Sequence, residues 1–178
     1  MTKKLRPIRW THIIVHHTAG APQTTMEQLR AMHRAKGRVD VGYHYVLLRS
    51  RVTGYRRGYL HVGRDACRVG GHAGSLAWNR RALGFAVVGN FHGDGINSER
   101  MGRELWLDVV AALVHLCLLY EIPAENVIAH RDVAKTSCPG DLFPWAELKK
   151  VLPAALERAK KATRKAKPSS RSGASAPD

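Results

Sequence analysis

The sequence predicts a single α/β domain in which a central β-sheet is flanked by helices. Short runs of apolar and β-branched residues alternate with longer segments whose apolar residues recur at helical spacing, and this alternation is typical of α/β folds. A chain of 178 residues with 44% hydrophobic residues is also large enough to build a hydrophobic core without disulfides.

The N-terminal part begins with a predicted strand over residues 12–17 (HIIVHH), because this run is short, apolar and β-branched. A helix is expected over about 25–36, opened by a capping box in which Thr25 is followed three residues later by Gln28. Gly37 is expected to end this helix, since glycine readily adopts the left-handed conformation that follows a helix.

The middle of the chain contains two further predicted strands, 43–48 (YHYVLL) and 83–89 (LGFAVVG). Between them, the basic stretch 49–58 (RSRVTGYRRG) predicts a turn or hairpin. Residues 61–80 contain four glycines and are interpreted as a loop.

The C-terminal half begins with a long helix expected at about 99–120, where apolar residues recur at helical spacing. A short strand is predicted at 127–129 (VIA), and Pro144 is placed in the first turn of a final helix that runs to about residue 160. After Lys167 the composition turns to proline, serine, glycine and alanine, which predicts disorder.

The chain is strongly basic, with 29 Lys+Arg against 14 Asp+Glu and a formal net charge of +15. This charge favours polyanionic partners: nucleic acid, anionic lipid or lipopolysaccharide, or anionic wall polymers. No helix-turn-helix, OB-fold or RRM signature is found, so specific nucleic-acid binding is not expected. Seven of the basic residues lie within 158–178, so part of the charge is concentrated at the C-terminus.

The cysteines and the N-terminus bear on the cellular compartment. Three cysteines, Cys67, Cys117 and Cys138, are too few and odd in number for a disulfide framework, and Cys117 is expected to be buried in its apolar run. The N-terminal sequence contains no long apolar segment, so neither a signal peptide nor a transmembrane helix is expected. Synthesis in the cytoplasm is therefore predicted.

Two segments at predicted strand ends carry residues that bind zinc well: His16-His17, and His130 with Cys138 eight residues later. Three protein ligands would leave the fourth tetrahedral position open to water, as in catalytic zinc sites. Taken singly, each piece is a weak signal, because a histidine at a strand end is more often a hydrogen-bonded structural residue than a ligand and a lone cysteine usually lies in the core. A structural zinc is disfavoured because the spacing is not that of a zinc finger.

Six segments, taken together, resemble the zinc amidases that include amidase-type phage lysozymes and the peptidoglycan recognition proteins. In chain order they are IIVHHTAG (13–20), DVGYHYVL (40–47), GRD (63–65), GGHAG (70–74), LGFAVVGNF (83–91) and IAHRDVAKTSCPGD (128–141). They cover roughly residues 10–150 and follow the order and spacing of that family. The resemblance implies its fold, with a central mixed β-sheet flanked by helices.

The resemblance implies that one zinc ion is held by His16, His130 and Cys138. His17 is the rival to His16, but neighbouring residues on a strand point to opposite faces, so one of the two reaches the metal. The match of VHHTA to the family favours His16 and leaves His17 packed nearby.

Two catalytic residues are also implied. Tyr43 matches the family's active-site tyrosine, whose phenol can hydrogen-bond the attacking water or the developing oxyanion; a half-buried strand aromatic is the alternative. Thr136 matches a position where some phage members carry a catalytic lysine and amidase-active recognition proteins carry threonine. Lys135 is the alternative, one residue out of register.

The resemblance also implies substrate-binding residues and a domain organisation. His72 in GGHAG resembles a groove residue that contacts glycan or peptide, and Trp78 and Asn79 are expected to line the same groove. For Trp78 a packed aromatic is an equal alternative. A catalytic domain is expected over residues 1–162, followed by a basic, disordered tail over 163–178, and the chain is expected to be a monomer.

The implied reaction is hydrolysis of the amide between N-acetylmuramic acid and L-alanine in peptidoglycan. A basic wall hydrolase without a signal peptide resembles a phage endolysin, which reaches the wall once a holin opens the membrane; its cationic tail is expected to contact the anionic envelope. A cytoplasmic amidase that recycles muropeptides is the nearest alternative. A non-catalytic peptidoglycan-binding module is disfavoured because all three candidate ligands are present.

Overall fold

The strands form one mixed sheet in the computed structural model, which describes residues 8–49 and 58–166. Five strands lie within this part of the chain: β1 (His12–His17), β2 (Tyr45–Leu48), β3 (Tyr59–Val62), β4 (Ala82–Val87) and β5 (Val127–Ala129). Their order across the sheet is β3-β2-β4-β1-β5. β2, β4, β1 and β5 run parallel, and β3 pairs with β2 in the antiparallel sense. The predicted α/β class and mixed sheet are confirmed.

The α-helices within the described residues are α1 (Met26–Ala35), α2 (Leu76–Asn79), α3 (Arg103–Leu119) and α4 (Trp145–Ala166). The predicted capping box opens α1, because the Gln28 backbone N–H donates to Thr25 Oγ1 and the Thr25 N–H donates to Gln28 Oε1. Gly37 follows α1 with a φ of +73°, as expected for the residue that ends a helix. No helix in the described residues is long and apolar enough to cross a membrane.

The two faces of the sheet are covered differently. α3 and α4 pack together over one face, where α4 contributes an apolar residue every fourth position: Leu148, Leu152 and Leu156. On the other face, Met26 and Leu29 of α1 pack against β2 and β4. Alternate side chains of β1 point to opposite faces of the sheet. Ile13 and Val15 point into the core that the sheet forms with α3 and α4.

Several element boundaries differ from the expectations. The interval 61–80, expected to be a loop, contains the end of β3 and the single turn α2. The final helix contains Pro153 and continues to Ala166, so the first four residues of the expected tail are helical. Most of the expected basic hairpin (50–57) and the remainder of the tail (167–178) lie outside the described residues.

Candidate active site

The first component of the site is the C-terminal end of β1. His16 and His17 close this strand and are 1% and 4% exposed. The alternation of side chains along a strand turns His16 away from the face that Val15 shares with α3 and α4. His17 Nδ1 accepts a hydrogen bond of 3.1 Å from the Phe91 backbone N–H, and its ring stacks on Phe91. His17 therefore packs beside the cluster, where its contacts with Phe91 hold the ring.

The second component is His130, which directly follows β5. Parallel pairing sets Val15 beside Ala129, so the next residue of each chain segment, His16 and His130, lie side by side. Their ring centroids are 4.4 Å apart. His130 Nε2 is buried and has no hydrogen-bond partner among the described residues. A buried nitrogen without a partner is costly, and a metal ion is one way to satisfy it.

The third component is Cys138, on the segment after the 3₁₀ turn His130–Asp132. The Arg131 N–H donates to the Cys138 carbonyl at 2.9 Å, and the Cys138 N–H donates to Thr136 Oγ1 at 3.2 Å. These bonds fold the segment back so that Cys138 Sγ lies 3.8 Å from His16 Nδ1. One donor atom each from His16, His130 and Cys138 lies within 4.8 Å of the other two.

The electrostatics of this cluster keep its donors neutral in the metal-free protein. Burial lowers the pKa of His16 well below its usual value, and the neighbouring rings of His72 and His130 add to the effect. Burial also lowers the pKa of His130, although a hydrogen bond with the Ala73 backbone raises it in part. Burial raises the pKa of the Cys138 thiol to about 11, although the His17 backbone N–H and Arg131 oppose the shift. Two uncharged imidazoles and a thiol suit the demands of a zinc ion, which accepts neutral imidazole and displaces the thiol proton.

His72 lies beside the ring nitrogen of His16 that faces away from Cys138. Its Nδ1 is 3.0 Å from His16 Nε2, and its Nε2 is 3.1 Å from the carbonyl oxygen of Ala82. The ring is 7% exposed, and burial lowers its pKa to about 3. The contact with glycan or peptide expected for His72 stays a prediction, while both of its ring nitrogens already have partners inside the protein.

Tyr43 and Thr136 both lie at the cluster. The Tyr43 ring centroid is 5.0 Å from that of His16, and burial raises the pKa of its phenol to about 12. The phenol therefore keeps its proton, and with it the ability to donate a hydrogen bond. Thr136 accepts from the Cys138 N–H and is exposed, so its hydroxyl proton is free to turn outward. Lys135 is exposed and is not among the residues that line the site cavity.

A cavity of about 320 Å³ opens over the cluster. Besides the residues already described, its lining includes Thr18, Ala19 and Gly71, which lie within the matching motifs, and His33, Lys36, Arg38 and His92, which lie outside them. His33, Lys36 and Arg38 line the cavity because α1 and its C-terminal end lie over the sheet, and no motif indicated them. A larger cavity of about 610 Å³, lined by Arg49, Glu99 and residues of α3, shares no lining residue with the site.

The other two residues that were predicted to line the groove, Asn79 and Trp78, lie in different places. Asn79 Oδ1 accepts from the backbone N–H groups of His72 and Ala73, and Asn79 lines a second cavity of about 470 Å³. That cavity shares Arg38 and Gly71 with the site cavity, so the two are neighbours. Trp78 instead packs edge-on against His12, at the other end of β1, with Arg81 over its ring. The structure does not bring Trp78 to the site cavity, and its contact with substrate stays a prediction.

Comparison with known proteins gives consistent matches. The profile of the family described as N-acetylmuramoyl-L-alanine amidase matches residues 6–141, which include every candidate ligand. The endolysin of Enterobacteria phage T3 is 31% identical over 138 residues, which are 76% of this chain and 84% of that protein. The endolysin of Escherichia phage T7 is 30% identical over 138 residues, with the same two shares. Among solved structures, the N-acetylmuramoyl-L-alanine amidase LysC from Clostridium intestinale URNW matches with a TM-score of 0.66 and 28% identity, over 85% of this chain and 93% of LysC.

Proposed function

This chain belongs to the N-acetylmuramoyl-L-alanine amidase family, and from that premise we propose that it hydrolyses the amide between N-acetylmuramic acid and L-alanine with one zinc ion held by His16, His130 and Cys138. The observation that carries this proposal is the convergence of three zinc-binding donor atoms within 4.8 Å at the carboxyl ends of two parallel strands.

The residues present fit a zinc ion. Tetrahedral bonds of about 2.0–2.3 Å place ligand atoms roughly 3.5 Å apart, and His16 Nδ1 and Cys138 Sγ lie 3.8 Å apart. The buried His130 Nε2 has no other partner in the described residues, which supports its role as the third donor. When bound, zinc supplies a Lewis acid that polarises the scissile carbonyl and lowers the pKa of water to about 7.

Tyr43 and Thr136 are proposed to act on the scissile amide. An amide carbonyl gains negative charge on oxygen as water attacks it, and a fixed donor at that position lowers the barrier. Tyr43 is suited to this because its phenol remains protonated at neutral pH and lies against His16. Thr136 is held by Cys138 and exposed to the cavity, which supports a role in orienting the carbonyl or the water.

The two neighbouring cavities are proposed to hold the substrate on either side of the scissile bond. Arg38 and Gly71 line both cavities, so a chain-like ligand can run from the cluster toward Asn79. A muropeptide has this extended form, with a sugar on one side of the amide and a peptide on the other. The side chains along this path are mostly polar or cationic, which suits carboxylate-bearing stem peptides.

The biological setting is proposed to be that of an endolysin, acting on the cell wall. Two endolysins of phages T3 and T7 are among the relatives that support this setting. The exposed residues Lys161, Arg164 and Lys165 in the last turns of α4 extend the excess positive charge to the C-terminal end of the described chain. We propose that this basic surface contacts the anionic envelope.

The test is hydrolysis of purified sacculi by the full chain with and without a chelator, with the products identified by mass spectrometry. We expect free stem peptides that begin with L-alanine, loss of activity with chelator, and recovery with added zinc. His16→Ala, His130→Ala and Cys138→Ser should each lose zinc and activity, whereas Cys117→Ala, which removes a buried thiol outside the site, should retain both. Cleavage of another bond, or activity that survives removal of all metal, would contradict the proposal. Cleavage of soluble muropeptides without cleavage of sacculi would contradict the endolysin setting.

A further inference from the structure

The hydrogen bonds around His72 determine where its proton lies. A carbonyl oxygen accepts and cannot donate, so the 3.1 Å contact with Ala82 requires a hydrogen on His72 Nε2. A neutral imidazole carries one N–H, which leaves a lone pair on His72 Nδ1. In the described part of the chain, the groups that act on the ring are His16, His44, His130, Arg64, the Ala82 carbonyl and the backbone of Gly70 and Gly84; no carboxylate is among them, and the neighbouring Arg64 further disfavours a cationic ring.

The tautomer of His16 follows from that of His72. Because His72 Nδ1 accepts, the 3.0 Å contact requires His16 Nε2 to donate. His16 Nδ1 then carries the lone pair, and this is the atom that lies 3.8 Å from Cys138 Sγ. The row of hydrogen bonds from the Ala82 carbonyl through His72 to His16 thus presents the lone pair of His16 to the cluster.

The fold makes room for this arrangement at two glycines. A Cβ at Gly84, in the middle of β4, would lie 2.6 Å from Cγ and Cδ2 of the His72 ring. A Cβ at Gly70 would lie 2.7 Å from His72 Cδ2 and from His44 Cε1. Real Cβ atoms do not approach so closely, so the His72 ring rests directly on backbone and has little freedom to turn.

We propose that His72 is a positioning residue, which fixes the tautomer and the direction of His16 so that His16 Nδ1 is available to bind the metal. This inference rests on the proposed zinc site and gives His72 a role other than the substrate contact expected from the sequence. Partners of this kind orient metal-binding histidines and raise the basicity of the ligand nitrogen, and their loss typically weakens metal binding about 10–100-fold.

The hydrogen bond itself is tested by NMR on the metal-free, ¹⁵N-labelled wild-type chain. We expect a scalar coupling across the hydrogen bond between His16 Nε2 and His72 Nδ1, and long-range correlations that place the His16 proton on Nε2. A His16 proton found on Nδ1 would overturn the inference. This measurement needs no metal, so its outcome is independent of whether the proposed zinc site is correct.

The consequence for the metal is tested by competition of the protein with a chelating dye for zinc. His72→Leu removes the acceptor and should weaken zinc binding about 10–100-fold, whereas His72→Asn places an amide oxygen near the position of Nδ1 and should recover most of the affinity. His12→Leu is the control, since His12 lies at the opposite end of β1 and its ring contacts Thr11 and Trp78 rather than His16 or His72. Wild-type affinity in His72→Leu would overturn the inference, and absence of zinc binding by the wild type would overturn the zinc site instead.

Discussion

At the scale of single residues, the site depends on donors that are remote in sequence. Cys138 is 122 residues from His16, and its sulfur nonetheless lies 3.8 Å from that ring. The sequence predicted these donors because residue types that bind zinc stood at the ends of predicted strands and within family motifs. It did not predict the interior partner of His16, because the position of His72 depends on how a glycine-rich loop packs over β4.

The proposed role of the Tyr43 hydroxyl predicts the effect of a single substitution. Tyr43→Phe removes one hydroxyl from the cavity wall and should lower kcat by about 10²–10³, the typical effect of losing one donor to a developing oxyanion. Zinc content should be unchanged, because the phenol is not one of the three clustered donors. The measurement is kcat on a soluble muropeptide together with the zinc content of the same sample.

The control for Tyr43→Phe is Tyr45→Phe. Tyr45 is a buried tyrosine two residues along the chain, and its hydroxyl contacts that of Tyr120, away from the cluster. This variant should keep the wild-type rate. Equal rates for wild type and Tyr43→Phe would make Tyr43 a packing residue.

At the scale of elements, the sheet brings the donors together. β1 and β5 are parallel neighbours whose register ends at Val15 and Ala129, so the residue that follows on each segment lies at the same edge. Both strands were predicted with the correct bounds, since both are short apolar runs with clear ends. The capping box likewise predicted the start of α1 from two residues.

The sequence patterns did not predict β3 and α2, and the reason is physical. β3 is a four-residue edge strand with exposed ends, and it lacks the apolar run by which a buried strand is recognised. α2 is one turn with no buried residue and no side-chain cap, so neither periodicity nor capping indicated it. Such elements are held by their neighbours, and a single-sequence pattern does not predict them.

The close packing of β4 against His72 predicts a stability effect. Gly84→Ala should lower the free energy of unfolding by about 1–3 kcal/mol, because the added methyl would overlap a ring that has no room to withdraw. Gly20→Ala is the matched control, since a Cβ there would meet its nearest atom at 3.5 Å, an ordinary contact. Urea unfolding of the metal-free proteins measures both. Equal stability of Gly84→Ala and wild type would show that the ring can move.

At the scale of the whole molecule, the basic C-terminal end of α4 and the donor cluster lie on different elements. The net charge of +15 predicted polyanionic partners without saying where they bind. In the structure the last turns of α4 expose Lys161, Arg164 and Lys165, whereas the cluster is made by β1, β5 and the segment after it. Binding to the envelope and hydrolysis should therefore be separable.

The separation is tested by changing Lys161, Arg164 and Lys165 together to glutamine, which retains a good helix former at each position. Hydrolysis of a soluble muropeptide should be unchanged, while binding to isolated cell envelopes should weaken and lose part of its dependence on salt. Exchanging lysine for arginine and arginine for lysine at the same positions keeps the charge and should keep the binding. Equal envelope binding by the glutamine variant would show that this surface is not used.

The most direct test of the proposed zinc centre is X-ray absorption at the zinc edge of the pure, active protein. The proposal predicts one zinc ion per chain with one sulfur ligand at about 2.3 Å and two imidazole nitrogens at about 2.0–2.1 Å. The sulfur signal should disappear in Cys138→Ser and persist in Cys117→Ala. A zinc-free protein that is fully active, or a zinc spectrum without sulfur in the wild type, would contradict zinc binding by His16, His130 and Cys138.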